Sequence, residues 1–256
     1  MAGSVYNGCI LEKGDIEMIK AVLYDLDGTL LPMDQDKFTG GYFKFLVKKM
    51  APHGYEPQKL IDTIWAGTAA MVKNDREMTN EEAFWKKFSE IWGSEKVLSD
   101  KALFEEFYSV DFQCAKDFCG YNEKAAFAVR QAKELGFRVA LATNPIFPEY
   151  ATKSRIRWAG LDYSDFEFFT SYENVNCCKP NLNYYREVAE RIGLEPQECL
   201  MVGNDVDEDM IAEKIGMKVF LITDCMINRG NKDISVYPHG SFDELVAFLK
   251  NLKAES

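Results

Sequence analysis

Ala21-Val22-Leu23-Tyr24-Asp25-Leu26-Asp27-Gly28-Thr29 is the stretch on which the reading of this chain turns. Four apolar residues run directly into two acidic ones and a glycine. A short apolar run bounded by turn residues reads as a buried strand. In an extended chain, residues two apart point to the same side. Asp25 and Asp27 therefore leave the strand end together, and Gly28 permits a sharp turn that a Cβ would hinder. One carboxylate of such a pair can act as nucleophile. The other can act as general acid and then as base, and crowding raises the proton affinity of one of them. An isolated Asp-x-Asp is more often a solvated acidic turn; the apolar run ahead of this pair sets it apart.

Downstream of this stretch the pattern becomes helical. Apolar side chains recur three and four apart and predict helices over 41–50, 57–73, 80–92 and 100–110. Thr79 and Glu82 form a capping box for the third. No strand candidate interrupts them, so residues 34–117 read as an all-helical cap domain inserted after the first strand. The aromatic residues of this segment (Phe43, Phe45, Trp65, Phe84, Trp85 and Trp92) are expected to fill the cap's own interior rather than to line a substrate pocket.

After Gly120 strand and helix alternate. Helices are predicted over 123–135, 149–158, 181–192, 207–215 and 242–252, and strands over 137–142, 166–170, 199–202 and 218–222. Gly136 and Gly193 stand where helices end, and Ser241 with Glu244 forms a second capping box. Repeated strand–helix units indicate an α/β fold with a Rossmann-like, mainly parallel sheet flanked by helices. Residues 18–33 and 118–256 would form this core, with 1–17 an N-terminal extension of no assigned role. Ligands of such sheets sit at the carboxyl ends of the strands, so the inserted helices would overhang the site as a lid.

The other strand ends also carry polar residues. Thr143 and Asn144 offer a hydroxyl and an amide suited to phosphate oxygens, though alone they read as an ordinary turn before Pro145. Lys179 precedes Pro180 at a helix start and can neutralise phosphate charge; a solvated lysine is the commoner fate. Asn204, Asp205, Asp207, Glu208 and Asp209 follow the strand at 199–202. Oxygen ligands of this kind suit Mg²⁺, while an acidic helix start needs no metal to account for it. The recurrence of these groups at successive strand ends carries the argument.

Composition narrows the function. With 30 basic and 41 acidic side chains, the net charge of −11 argues against a nucleic-acid partner. Seven cysteines and two histidines show no zinc-ligand spacing and read as free thiols of a cytoplasmic protein. No run approaches the roughly 20 apolar residues of a membrane span.

The four motifs Asp25-Leu26-Asp27-Gly28-Thr29, Thr143, Lys179 and the acidic loop 203–209, in that order, resemble those of the haloacid-dehalogenase-like superfamily of phosphohydrolases. The resemblance spans about residues 20–32 and 118–250. It implies that Asp25 attacks phosphorus to form an aspartyl-phosphate. Asp27 would protonate the leaving oxygen and then activate water, and Thr143 and Lys179 would bind the phosphoryl oxygens. It further implies Mg²⁺ held by the Asp25 side chain, the Asp27 backbone carbonyl and the acidic loop, and a small phosphorylated metabolite as substrate. The chain departs from the family at Asn204, where members often carry Asp, while Asp209 matches the second Asp five residues on. Asn204 or Asp205 is expected to touch the metal, with Asp209 behind it. A sugar-phosphate mutase using the same nucleophile and a non-catalytic binding protein of the same fold are the alternatives. Lys37, Lys73 and Arg76 are the cations that could meet a second anionic group of a substrate, but are expected to be solvated.

Overall fold

The structure is a computed structural model that describes residues 18–254; the expected extension at 1–17 lies outside the described residues. The chain opens with β1 (Ala21–Tyr24) and passes into α1 (Gln35–Met50), α2 (Pro57–Lys73), α3 (Asn80–Trp92) and α4 (Ser94–Ser109), closed by a 3₁₀ helix, Asp111–Phe118. It then runs through α5 (Glu123–Glu134), β2 (Arg138–Leu141), α6 (Glu149–Trp158), α7 (Leu182–Arg191), β3 (Cys199–Gly203), β4 (Lys218–Ile222), β5 (His239–Gly240) and α8 (Phe242–Ala254). Among the described residues five strands form one sheet in the order β2-β1-β3-β4-β5, every pairing parallel. This is the α/β, Rossmann-like architecture with an inserted helical cap that the sequence indicates.

Strand alternation divides the core in two. Val22, Tyr24, Leu141 and Val202 join one apolar cluster with the small residues of α5 and with Leu245 and Leu249 of α8. Ala21, Leu23, Ala140 and Met201 face the other way, against Tyr184 and Val188 of α7. The first cluster runs on through Phe38 and Tyr42 into the inserted helices, so the helices and the sheet share continuous apolar packing.

The inserted helices begin where their caps dictate. The Asp34 carboxylate accepts from the N–H groups of Asp36 and Lys37 at the start of α1, and Glu56 does the same for Gln58 and Lys59 in α2. The capping box of Thr79 and Glu82 opens α3 as predicted. A cap of this kind contributes about 1 kcal/mol. At α8, Glu244 accepts from the N–H of Ser241.

Five elements differ from the sequence reading. Helix α1 starts at Gln35 rather than at 41, and it continues through Gly40 and Gly41. Gly41 sits so close to the Phe118 ring that a Cβ there would approach it to 2.2 Å, so this glycine serves packing and does not mark a turn. Helix α4 likewise starts earlier than 100, at Ser94. The stretch 166–170 does not form a regular strand. It bonds to β2 through Glu167 N–H to Val139 O, Leu141 N–H to Phe168 O, and Thr170 N–H to Leu141 O. Only Leu141 and Phe169 form a bridge; the bond at Glu167 is one residue out of register with it, so the ladder stops there. The helix predicted over 207–215 is a turn followed by a 3₁₀ helix, Met210–Ile215. β5, only two residues long, is too short to show as an apolar run.

Candidate active site

Register brings the functional residues together. Tyr24 pairs with Leu141 on one side and Val202 on the other. The ladder continues one residue further, with Asp25 N–H to Val202 O at 2.8 Å and Ala142 N–H to Tyr24 O at 2.7 Å. The chains beyond β2, β1 and β3 thus emerge side by side, carrying Thr143, Asp25 and Asn204. β1 lies where the strand order reverses, the crevice in which open parallel sheets bind ligands. The turn after it is fixed by Gly28, at φ +88°, where a Cβ would come within 2.4 Å of Asn204 Nδ2.

Asp25 is buried and both its oxygens are engaged. Lys179 Nζ donates to Oδ1 at 2.8 Å and the Thr29 hydroxyl to Oδ2 at 2.9 Å. Lys179 also donates to Asp209 Oδ1 at 2.6 Å, and only 2% of it is exposed. Burial penalises its charge, but Asp209 and Asp25 more than offset this and hold the ammonium protonated well above its usual range. The other Asp209 oxygen accepts from Asp205 N–H at 2.9 Å. Both Asp209 oxygens therefore serve to brace Lys179 and the loop.

Asp27 receives Arg155 on Oδ2 and leaves Oδ1 buried with no partner among the described residues. Burial raises its carboxyl's pKa; Arg155 opposes that rise and the charge of Asp25 adds to it. A carboxyl that holds its proton above the usual range suits a general acid. Arg155 is wholly buried, its guanidinium 4.5 Å from the Phe147 ring centroid. Thr143 is held by its backbone carbonyl, which accepts from the Thr170 and Tyr184 hydroxyls at 2.7 and 2.8 Å, while its own Oγ1 has no partner among the described residues. Asn144 donates to Glu208 at 3.2 Å, and its Oδ1 is likewise buried with no partner among the described residues.

The acidic loop separates the two residues between which the sequence does not choose. The Asp205 carboxylate accepts from the N–H groups of Asp207 and Glu208 and from Arg229. It caps its own turn. Asn204 directs Oδ1 to within 3.0 Å of the Thr29 hydroxyl, while its Nδ2 donates to Cys225 O at 2.6 Å. Thr29 thus stands between Asp25 Oδ2 and Asn204 Oδ1 with a single proton to offer. These two oxygens, with the unpartnered oxygens of Asp27 and Asn144, fit a hard cation, and the Thr143 hydroxyl and the Lys179 ammonium can donate to an oxygen-rich anion. A buried polar atom left without a partner costs about 1–3 kcal/mol. Among the described residues no cluster of three His, Cys, Asp or Glu could hold a metal unaided, so a cation here would draw on the Asn204 amide and backbone oxygens. Both histidines are exposed.

A cavity of about 250 Å³ opens above these groups, with Asp25, Asp27, Thr143 and Asn144 among its lining residues. Phe43, Trp65, Phe84 and Trp85 of the inserted helices line it too, which corrects the expectation that they serve the cap interior alone. Phe45 and Trp92 do pack away from it, against Phe118 and Tyr55. The helical stripe is wide enough to face both the cap interior and the cavity. Lys37 pairs with Asp34 and Arg76 with Glu190, Lys73 is exposed, and none of the three lines the cavity.

The family described as haloacid dehalogenase-like hydrolase matches residues 19–214. The chain belongs to the haloacid dehalogenase-like hydrolases. It is 25% identical over 226 residues to a glyceraldehyde 3-phosphate phosphatase of Methanothermobacter thermautotrophicus, covering 80% of this chain and 86% of that one. It is 26% identical over 205 residues to a phosphoglycolate phosphatase of Nitrosospira multiformis, covering 80% and 83%. The crystal structure of a phosphatase of this family from Thermococcus onnurineus superposes with a TM-score of 0.55 at 19% identity, over 90% of this chain and 98% of that one, a likeness of fold.

Two features of this hydrolase's site escape sequence reasoning. Arg155 sits mid-helix in α6, where an arginine ordinarily reads as solvated; no spacing links it to Asp27. The aromatic wall is visible as a stripe, but which of its rings face the cavity depends on how the inserted helices dock.

Proposed function

We propose that this hydrolase is a Mg²⁺-dependent phosphatase acting on a small phosphorylated metabolite through an aspartyl-phosphate on Asp25. The observation that carries the proposal is the buried arrangement at the strand ends. Lys179 pins Asp25 and Asp209, and unpartnered oxygens of Asp27, Thr143 and Asn144 lie around them. The phosphatase names of the relatives support this chemistry at the level of the family.

In the first step an Asp25 carboxylate oxygen forms a bond to phosphorus. The bond from phosphorus to the alcohol oxygen breaks, and Asp27 delivers its proton to that oxygen. In the second step Asp27 takes a proton from water, whose oxygen bonds to phosphorus as the bond to Asp25 breaks. Inorganic phosphate leaves and both carboxyls return to their starting states. Lys179 and the Thr143 hydroxyl orient the phosphoryl oxygens. Asp25, the Asp27 backbone carbonyl and Asn204 would hold the metal, with Asp209 bracing Lys179 behind them. When bound, Mg²⁺ supplies positive charge that offsets the repulsion between a carboxylate and a phosphate. Residues 34–117 act as the cap over this site, excluding bulk water from the first step. The free thiols of all six cysteines among the described residues accord with a reducing, cytoplasmic setting.

The test is phosphate release from a panel of phosphomonoesters with Mg²⁺, with chelator, and with Asp25→Asn. Metal-dependent release that the variant loses supports the proposal. Isomerised sugar phosphate with little free phosphate would replace it with a mutase, and release that survives Asp25→Asn would overturn the assignment of the nucleophile.

A further inference from the structure

The cavity has an asymmetry of charge and wetting that bears on its substrate. Every ionisable acid or base among its charged lining residues is acidic: Asp25, Asp27, Asp205, Glu208 and Asp209. Among the described residues no lysine, arginine or histidine lines it. The two buried cations nearest by, Lys179 and Arg155, are already held by carboxylates. These acids lie at the phosphoryl end, so a second anionic group on the substrate would meet uncharged walls with no counter-ion among the described lining residues, and burying an unpaired charge is costly.

Several polar groups of the walls are engaged with one another. The Tyr42 and Tyr108 hydroxyls bond to each other at 2.9 Å. Trp85 Nε1 donates to the Tyr172 hydroxyl at 3.4 Å, and the Thr68 hydroxyl donates to Ile64 O at 3.0 Å. Gln35, Thr39 and the Trp65 indole are the other polar lining groups of the segment from α1 to α4, and all three are uncharged. What the walls present is ring surface. Tyr42 and Phe147 meet edge to face with centroids 5.5 Å apart, and Phe84 and Tyr172 lie 6.3 Å apart. Another ring is well received by such a lattice at centroid distances of about 4.5–7 Å. Since a cavity of about 150 Å³ already holds benzene, the 250 Å³ here leaves room for one ring and the phosphoryl group.

We infer that this site takes a phosphate ester of an uncharged, apolar alcohol bearing one aromatic ring, and discriminates against esters that carry a carboxylate or a second phosphate. The inference rests on the phosphatase reading and deepens it. It separates this chain from the relative whose name specifies phosphoglycolate, an ester with a carboxylate.

The experiment has a turnover arm and a binding arm, both with the full chain and Mg²⁺. Turnover compares kcat/KM for phenethyl phosphate, phosphoglycolate and glyceraldehyde 3-phosphate, all esters of primary alcohols, so that leaving-group reactivity differs little. Phenethyl phosphate is expected to lead phosphoglycolate by roughly tenfold or more, the scale of a well-packed apolar group, with the difference mainly in KM. Thr68→Arg, which places a cation in the wall, is expected to narrow or reverse that ratio. Binding compares phenethylphosphonate with phosphonoacetate by calorimetry and needs no turnover. Equal or better turnover of phosphoglycolate overturns the inference and leaves the phosphatase reading standing, as does tighter binding of phosphonoacetate. Preference for the aryl phosphonate without release from any ester supports the inference about the pocket and overturns the phosphatase reading.

Discussion

Replacing Lys179 by methionine keeps the length of the side chain and removes the ammonium shared by Asp25 and Asp209. The bonds lost are 2.8 and 2.6 Å long, to carboxylates of residues that are 6% and 1% exposed. Removing one partner of a buried ion pair costs about 3–5 kcal/mol, because the charge left behind is desolvated. At a urea slope of about 3 kcal/mol per molar, the unfolding midpoint should fall by roughly 1–2 M. The deficit should depend on pH. Burial already pushes the Asp209 carboxyl up, and Lys179 is the largest influence pulling it back; the variant lets it rise further. A carboxyl whose folded pKa lies above its unfolded value binds its proton more tightly when folded. Its contribution to stability therefore grows as pH falls through the folded pKa towards the unfolded value of about 3.9. The deficit of the variant relative to the unmodified chain should thus be largest near about pH 8 and shrink towards about pH 5. The assay is urea denaturation of both proteins at the two pH values. A deficit under about 1 kcal/mol, the worth of a surface pair, would refute the reasoning, and so would one that grows on acidification.

Arg155→Met removes the cation that holds down the Asp27 carboxyl while burial continues to raise it. The basic limb of the kcat profile should move to higher pH, with a smaller displacement in Arg155→Lys; a limb that stays in place or moves to lower pH would remove Arg155 from any role at the general acid. Gly28→Ala places a Cβ at a left-handed φ of +88° and 2.4 Å from Asn204 Nδ2. It should cost about 1–2 kcal/mol of stability from the backbone alone and raise the Mg²⁺ concentration for half-maximal activity as Asn204 is displaced. Unchanged thermal unfolding and metal titration would show that the turn tolerates the methyl group.

The fold was legible where a residue's neighbours in sequence are also its neighbours in space. Val22 and Tyr24 are apolar because β1 is buried on both faces, and Thr79 with Glu82 marks a helix start because the capping box is local. Legibility failed where a distant contact decides. Gly41 lies inside α1 because the Phe118 ring needs the space. The stretch 166–170 falls out of register with β2, and the residues after Asp205 turn instead of coiling because that carboxylate captures the N–H groups of Asp207 and Glu208. The same limit governs the site. Asp25, Asp27, Thr143 and Lys179 stand at recognisable strand and helix boundaries, and the structure brings them together. That Asn204 and not Asp205 faces Asp25 follows from Arg229 holding Asp205, and from Cys225 O receiving the Asn204 amide, partners 24 and 21 residues away.

The central claim is that Asp25 carries the phosphoryl group between substrate and water. The measurement that tests it most directly is mass spectrometry of the Asp25 peptide after acid quench of the protein during turnover of an ester it hydrolyses. A mass gain of one phosphoryl group on Asp25, absent without substrate and absent in Asp25→Asn, is the predicted result. Steady phosphate release with Asp25 unmodified throughout, or with the phosphoryl group on another residue, would contradict it.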